Sequence, residues 1–175
     1  MAELTPMMQQ YMQTKKEYPD CILFYRLGDF YEMFFDDALI ASKELEITLT
    51  GKNCGLEERA PMCGVPYHSV DGYLNRLVSK GYKVAICEQT EDPSTAKGLV
   101  KREVVRIVTP GTNLDTQSLD ETRNNYIMSV VYIADRFGMS IADITTGDYF
   151  VTEIGDSEKL FDEIFKFMPS ELICN

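Results

Sequence analysis

Residues 21–34 read CILFYRLGDFYEMF, and this stretch decides the fold around it. Two runs rich in aliphatic and aromatic residues flank Gly28 and Asp29, which is the pattern of a β-hairpin with a two-residue turn. Successive side chains of a strand point to opposite faces, so the returning strand has two different faces. One face is expected to carry Phe30, Glu32 and Phe34, and the other Tyr31, Met33 and Phe35.

Capping residues and apolar spacing predict further elements around the hairpin. The predicted elements are a helix that Thr5 and Pro6 start and Pro19 ends, a helix capped by Asp36 or Asp37, a strand at 47–49, a helix capped by Ser69 and ended by Gly81, and strands at 82–87 and 100–108. Residues 60–69 hold two prolines and a glycine and are predicted to form a loop. This alternation predicts an α/β (α+β) fold class for residues 1–112, with a mixed β-sheet packed with helices.

The pattern changes after a polar stretch, residues 113–125, which is predicted to be a linker. Three strands at 126–134, 138–144 and 148–154, an amphipathic helix and the start of a strand at 171–174 are expected to follow. Residues 126–175 would then form only part of an α/β domain, and the chain is expected to be a fragment of a longer protein.

The charge is unevenly distributed along the 175 residues. A net charge of −11 argues at first against a nucleic-acid partner, because phosphate binding needs a basic footprint. Residues 111–175, however, carry 4 basic and 12 acidic side chains, net −8, so the acidity belongs mostly to the second segment.

The residue types also bound the cellular context. Five cysteines without a Cys-x-x-Cys pair and a single histidine, His68, indicate neither a disulfide framework nor a zinc site. No apolar run approaches the roughly 20 residues of a membrane span, and the N-terminus lacks the features of a signal peptide. A cytoplasmic location is therefore expected.

Enzyme signatures are weak. TGKN at 50–53 resembles the end of a phosphate-binding loop, but Glu46 stands where that motif needs its first glycine and Asn53 where it needs Ser or Thr. Acidic residues on the second segment's strands are also found in two-metal nucleases, but turn positions favour a structural role for several of them. They are Asp135, Asp143, Asp148 and Glu153. No catalytic and no metal-binding residue is predicted.

For Phe30 and Glu32, the residue pattern leaves two interpretations open. In the first, Phe30 is a core residue and Glu32 is an edge-strand charge that prevents aggregation. In the second, Phe30 is an aromatic wedge that enters a base step, and Glu32 is a neighbouring carboxyl group that hydrogen-bonds the displaced base.

Four segments resemble the MutS family of DNA mismatch-repair proteins and occur in that family's order. They are FYRLGDFYEMF (24–34), PMCGVPYHSV (61–70), VAICEQ (84–89) and VVRIVTPGT (104–112). The resemblance implies that residues 1–112 are a mismatch-recognition domain. It also implies that residues 126–175 begin a connector domain with a ribonuclease-H-like fold and no nuclease activity. The family's lever, clamp and ABC-type ATPase domains have no counterpart in the chain.

The same resemblance assigns roles to individual residues. Phe30 would be the wedge that stacks on a mispaired or unpaired base from the minor groove, and Glu32 its hydrogen-bonding neighbour. Met62 and Tyr67 are further candidates for lining the site. A local basic excess is expected to meet phosphates, with a solvated strand edge as its alternative. It consists of Lys97, Lys101, Arg102 and Arg106.

The expected function is mismatch recognition without enzymatic activity. Expected partners are mismatched double-stranded DNA and, through the connector, other mismatch-repair proteins. A homodimer, ATP and magnesium are expected only of the full-length protein, which would be cytoplasmic and associated with the nucleoid; no cofactor and no membrane contact are expected here. The alternative is a protein-interaction fragment without autonomous DNA binding, and a metal-dependent nuclease is a more distant one.

Overall fold

The computed structural model describes residues 3–91, 96, 98–113 and 123–175, and the chain divides into two units, Met1–Val108 and Thr109–Asn175. The predicted linker falls largely on residues 114–122, which lie outside the described part. No helix of the described residues is long and apolar enough to cross a membrane.

The first unit contains a six-stranded mixed sheet in the order β3-β4-β2-β1-β5-β6, in which β1 and β5 run parallel and the other neighbours antiparallel. Its elements are α1 (Pro6–Glu17), β1 (Cys21–Leu27), β2 (Phe30–Phe34), α2 (Phe35–Leu45), β3 (Thr50–Lys52), β4 (Ala60–Pro66), a 3₁₀ turn (Tyr67–Ser69), α3 (Val70–Val78), β5 (Lys83–Gln89) and β6 (Arg102–Val108).

Helices cover both faces of this sheet. On one face, α2 and α3 pack on a core that includes Phe24 and Met33. On the other, α1 packs on a second core that includes Leu23, Tyr25 and Phe34. The alternation of β2 therefore delivers its side chains to two different cores.

The second unit is a four-stranded sheet in the order β10-β7-β8-β9, with β10 parallel to β7. Its elements are β7 (Tyr126–Ile133), β8 (Arg136–Asp143), β9 (Tyr149–Ile154), α4 (Ser157–Phe167) and β10 (Glu171–Cys174). α4 packs through Leu160 on Met128, Met139 and Ile141, and Asp156 caps it by accepting a hydrogen bond from the Lys159 N–H at 2.8 Å.

The fold class is confirmed, since both units contain a mixed sheet packed with helices. The ribonuclease-H-like character of the second unit stays a prediction. The hairpin is confirmed in detail, because Leu27 pairs directly with Phe30 across the turn.

The predicted loop at 60–69 is wrong, because residues 60–66 form strand β4 between β2 and β3. Pro61 is the second residue of that strand and Pro66 the last. Proline lacks an N–H, and strand ends are where the ladder loses least by its absence.

Local capping is also different from the expectation. Thr5 and Ser69 stand at helix N-caps, but neither side chain makes a capping hydrogen bond; Ser69 Oγ donates to the Pro66 carbonyl at 3.3 Å instead. α2 begins at Phe35, so Asp36 and Asp37 lie in its first turn rather than at its cap. The strand predicted at 47–49 lies later, at Thr50–Lys52.

The expected position of Phe35 beside Tyr31 and Met33 is wrong. β2 ends at Phe34, and Phe35 starts α2 with a φ of 53°, in the left-handed region. The Phe35 ring lies 6.4 Å from the Tyr11 ring, centroid to centroid, and packs on the α1 side of the sheet.

Candidate nucleic-acid interface

The tip of the β1–β2 hairpin presents Phe30, whose exposed fraction is 46%. Gly28 has a φ of 58°, a conformation that glycine adopts without a steric penalty, and a Cβ built there would contact nothing within 4 Å. The Tyr67 N–H donates to the Asp29 carbonyl at 3.0 Å, and Arg26 Nε donates to the Gly28 carbonyl at 2.6 Å. The turn that carries Phe30 is therefore held from two sides.

Arg26 supports the hairpin through aromatic and ionic contacts. Its guanidinium lies 3.7 Å from the centroid of the Tyr67 ring and 5.5 Å from that of Tyr31. Its Nη1 is 3.7 Å from Glu88 Oε2, and the Tyr31 hydroxyl donates to Glu88 Oε1. Burial, together with the neighbouring Glu88 carboxylate, raises the pKa of Tyr31 to about 12, so the hydroxyl keeps its proton and this donor is permanent at neutral pH.

Glu32 is neither unpaired nor fully exposed. Its side chain is 17% exposed, and its Oε2 lies 2.5 Å from Lys52 Nζ. Gly64 is its direct partner on β4, where a Cβ would lie 3.2 Å from the Tyr31 carbonyl oxygen and 3.5 Å from Glu32 Cγ. Glycine at that position leaves the carboxylate room.

Strand register places these residues on one face, because directly opposite residues in neighbouring strands point the same way. Met62 pairs with both Phe34 and Thr50, Gly64 pairs with Glu32, and Lys52 follows Thr50 by two residues. This is the face that α1 covers over Phe34 but not over Phe30. We call this surface the open face; it consists of Phe30, Glu32, Lys52, Met62 and Gly64.

Comparison with known protein families identifies the family of this chain. Residues 5–117 match the family model of MutS domain I, and residues 125–175 match that of MutS domain II. The chain belongs to the MutS family. Two curated relatives named DNA mismatch repair protein MutS, from Lachnoclostridium phytofermentans and Acetivibrio thermocellus, are 71% and 65% identical to it. They match 100% of this chain, which spans only 19% and 20% of their own lengths. The MutS resemblance drawn from four segments is thus confirmed.

The other two candidates for lining the site take different positions. Tyr67 is 42% exposed and stacks on Arg26 immediately after β4. Met62 is half-buried and packs against the core beneath α1.

The basic candidates do not form one patch. Lys97 lies outside the described residues. Lys101 is exposed and bonds to Glu103 at 2.5 Å, which raises the Lys101 pKa. Arg102 is only 9% exposed and donates within the protein, to the Arg26 carbonyl at 2.7 Å and to Gln10 Oε1 at 3.1 Å. Arg106 is exposed but pairs with Ile86, which places it on the opposite face from Phe30.

Residues 50–53 do not fit the phosphates of ATP. A phosphate-binding loop needs flexible glycines and places its lysine at a helix N-terminus, whereas Thr50–Lys52 is a paired strand whose lysine bonds to Glu32. Lys52 is also a candidate site residue that the sequence analysis missed. It was considered only as part of the rejected phosphate-binding motif at 50–53.

The acidic residues of the second unit have structural partners. Asp143 is 1% exposed and accepts hydrogen bonds from the N–H groups of Asn125 at 2.9 Å and Thr145 at 2.8 Å, and from Thr145 Oγ1 at 2.6 Å. Burial opposes its ionisation, but these hydrogen bonds outweigh burial and lower the Asp143 pKa. Asp135 accepts from the Tyr132 hydroxyl, and Glu153 pairs with Arg136. Within the described ranges, no three His, Cys, Asp or Glu residues are grouped so that they could hold a metal ion.

Proposed function

We propose that this chain recognises mispaired or unpaired bases in double-stranded DNA through the open face. Phe30 enters the minor groove as a wedge that stacks on the faulty base, and Glu32 hydrogen-bonds the displaced base. The observation that carries the proposal is the 46% exposure of an aromatic ring at the tip of a braced hairpin. The two curated relatives, each named DNA mismatch repair protein MutS, support it.

Selectivity follows from the cost of deforming DNA. An inserted ring unstacks a base step at a cost of a few kcal/mol and kinks the duplex. That cost is lowest where pairing is already faulty, so a wedge prefers mismatches without reading one particular base. A braced turn suits this task, because a loosely held ring would lose entropy on insertion.

Glu32 adds a hydrogen-bond filter. An ionised carboxylate can only accept, so it favours a displaced base that presents a ring N–H, such as that of thymine. Its second oxygen, Oε1, makes no hydrogen bond to the residues that the structure describes, and it is the atom we assign to the base.

The remaining candidates contribute around these two residues. Met62 and Tyr67 would line the site. Lys101 is exposed and would meet phosphates of the flanking duplex, together with Lys97. Arg106 lies on the opposite face from Phe30 and is left out of the proposed contacts. Arg102 is left out of the proposed contacts, because its guanidinium is engaged inside the protein.

The proposal gives this chain a binding role and no catalytic one. It leaves ATP, magnesium and homodimer formation to the remaining length of full-length relatives, and contacts with other repair proteins to the second unit. The cytoplasm, at the nucleoid, is the proposed location.

The decisive test uses a hybrid in which this chain replaces the matching segment of the Lachnoclostridium phytofermentans relative. The chain alone, with a net charge of −11, is expected to bind DNA weakly. In the hybrid, Phe30→Ala should lower the affinity ratio of a single-mismatch duplex to a matched duplex by on the order of tenfold, since it removes base stacking. Leu39→Ala is the matched control, because Leu39 is 47% exposed on α2. An unchanged ratio in the Phe30→Ala hybrid would refute the wedge.

A protein-interaction role is the second candidate. The outer surface of α4 exposes Phe161 and Phe165 to 58% and 70%, and β9 exposes Val151 to 67%. Large exposed apolar side chains favour a docking role when they form one surface. If docking were the only role of the chain, Phe30→Ala would leave the mismatch ratio of the hybrid unchanged, whereas Phe165→Asp would weaken assembly with a repair partner.

A further inference from the structure

We propose that Lys52 is the positioning residue of the mismatch site: it holds Glu32 Oε2, leaves Oε1 for the base, and neutralises the carboxylate beside the DNA phosphates. This inference rests on the proposed roles of Phe30 and Glu32 and adds a residue that those roles do not include.

Among the described residues, Glu32 is the anionic partner of Lys52. Lys52 Nζ lies 2.5 Å from Glu32 Oε2 and makes no other ion pair among the described residues. Its ammonium also lies 5.6 Å from the centroid of the Phe34 ring, a cation–π distance that fixes the cation over the buried half of β2. Strand β4 runs between Lys52 and Glu32, and the β4 position beside Glu32 is Gly64, whose lack of a side chain leaves the carboxylate accessible.

Partial burial makes the pair stronger than an ordinary surface pair. The side chains of Glu32 and Lys52 are 17% and 33% exposed, so solvent screens them less than it screens exposed ions. Insertion of Phe30 would exclude further water and strengthen the attraction. The carboxylate would then have one oxygen fixed and one directed at the base.

The pair also resolves an electrostatic conflict in the proposed function. A lone carboxylate carried into the minor groove would be repelled by phosphates on both strands. Lys52 brings the net charge of the pair to zero while leaving an acceptor oxygen available. Lys52 therefore acts through Glu32, and a direct contact between Lys52 and a phosphate is the competing explanation.

The test is a double-mutant cycle on the open face, measured in the hybrid. Lys52→Met should lower the ratio of mismatched to matched affinity by about threefold to tenfold, as expected for a partly buried charge-assisted bond. Lys52→Arg should keep the ratio within about twofold, because the charge and the donor remain. In a Glu32→Gln background, Lys52→Met should have no further effect. Lys80→Met is the matched control, since Lys80 pairs at 2.8 Å with Glu44 of α2, outside the open face.

Salt dependence separates positioning from phosphate contact. If Lys52 only positions Glu32, its replacement should leave the salt dependence of matched-duplex binding unchanged. If Lys52 contacts a phosphate, its replacement should reduce the slope of log affinity against log salt concentration by about 1. A reduced slope, or an equal loss in the Glu32→Gln background, would overturn the inference. Lys52→Gln provides a second variant, and thermal unfolding of each variant chain checks its folding.

The two proposals fail in different ways. If Phe30→Ala leaves the mismatch ratio unchanged, the proposed function fails. If Phe30→Ala and Glu32→Gln both lower the ratio but Lys52→Met does not, the function stands and only the positioning role of Lys52 is refuted.

Discussion

The Phe34 ring meets the Tyr11 ring edge-on, with 4.9 Å between centroids and an interplanar angle of 82°. Phe34 is 1% exposed, whereas Phe30, on the same face of the same strand, is 46% exposed. Helix α1 thus covers one end of β2 and leaves the other open. Because α1 does not extend over Phe30, this aromatic ring remains exposed and can contact a ligand.

This contrast predicts opposite effects of the same substitution. Phe34→Ala should destabilise the chain by about 3–5 kcal/mol, because it empties a close-packed core position. Phe30→Ala should change the free energy of unfolding by less than about 0.5 kcal/mol. Urea unfolding of the two variants followed by circular dichroism tests this. A large loss for Phe30→Ala would mean that its ring is a packing residue.

Asp37 offers a second test of how α1 is held on the sheet. It is 4% exposed and accepts hydrogen bonds from Lys15 Nζ at 2.9 Å, the Leu23 N–H at 3.0 Å and the Tyr11 hydroxyl at 3.1 Å. Asp37→Ala leaves these donors without their acceptor and should cost on the order of 3 kcal/mol. Asp36→Ala, at the exposed neighbouring position, should change stability little. Equal unfolding midpoints for the two variants would contradict this role.

The sequence pattern identified the hairpin, the alternation of β2 and the four α-helices found in the described part of the chain, because each depends on local spacing. It could not find the Lys52–Glu32 pair, which depends on the register of β3 with β4 and of β4 with β2. Register between separate strands is set by distant packing and leaves no local signal.

The basic candidates on β6 show a second limit. Arg102 and Arg106 are four positions apart, so alternation alone places them on one face. Ile86 of β5 pairs with Arg106 and the next residue, Cys87, pairs with Val104, so Val105 is an extra residue of β6. This bulge sends the two arginines to opposite faces. Arg102 becomes an internal hydrogen-bond donor, and Arg106 is exposed. A single irregularity therefore divides what looks like one basic patch.

Asp143 predicts a pH dependence of stability in the second unit. Its pKa is lowered in the folded state, so its ionised form contributes stability above the unfolded pKa, and this contribution is lost as the pH falls through the folded value. Asp143→Asn should lower the midpoint of thermal unfolding at pH 7, because an amide cannot accept all three hydrogen bonds.

The difference between Asp143→Asn and the unmodified chain should shrink when thermal unfolding is repeated near pH 3. Asp135→Asn is the control, since Asp135 has a positive φ of 60° that asparagine tolerates and only one partner hydroxyl. A difference that stays constant between the two pH values would show that ionisation of Asp143 is not what stabilises this turn.

Arg26 connects the stability of the hairpin to the proposed recognition of DNA. Its planar guanidinium lies over Tyr67, bonds to the Gly28 carbonyl and faces Glu88, and a lysine cannot reproduce these contacts together.

Arg26→Lys keeps the charge but should loosen the turn beneath Phe30. In the hybrid, the preference for a mismatched duplex should fall several-fold, while matched-duplex affinity stays unchanged, since only insertion depends on a fixed ring. Arg76→Lys is the control, because Arg76 bonds to the Leu45 carbonyl at the end of α2, outside the open face. If both variants kept the full mismatch preference, bracing of the hairpin by Arg26 would have no part in recognition, and exposure of Phe30 alone would have to account for it.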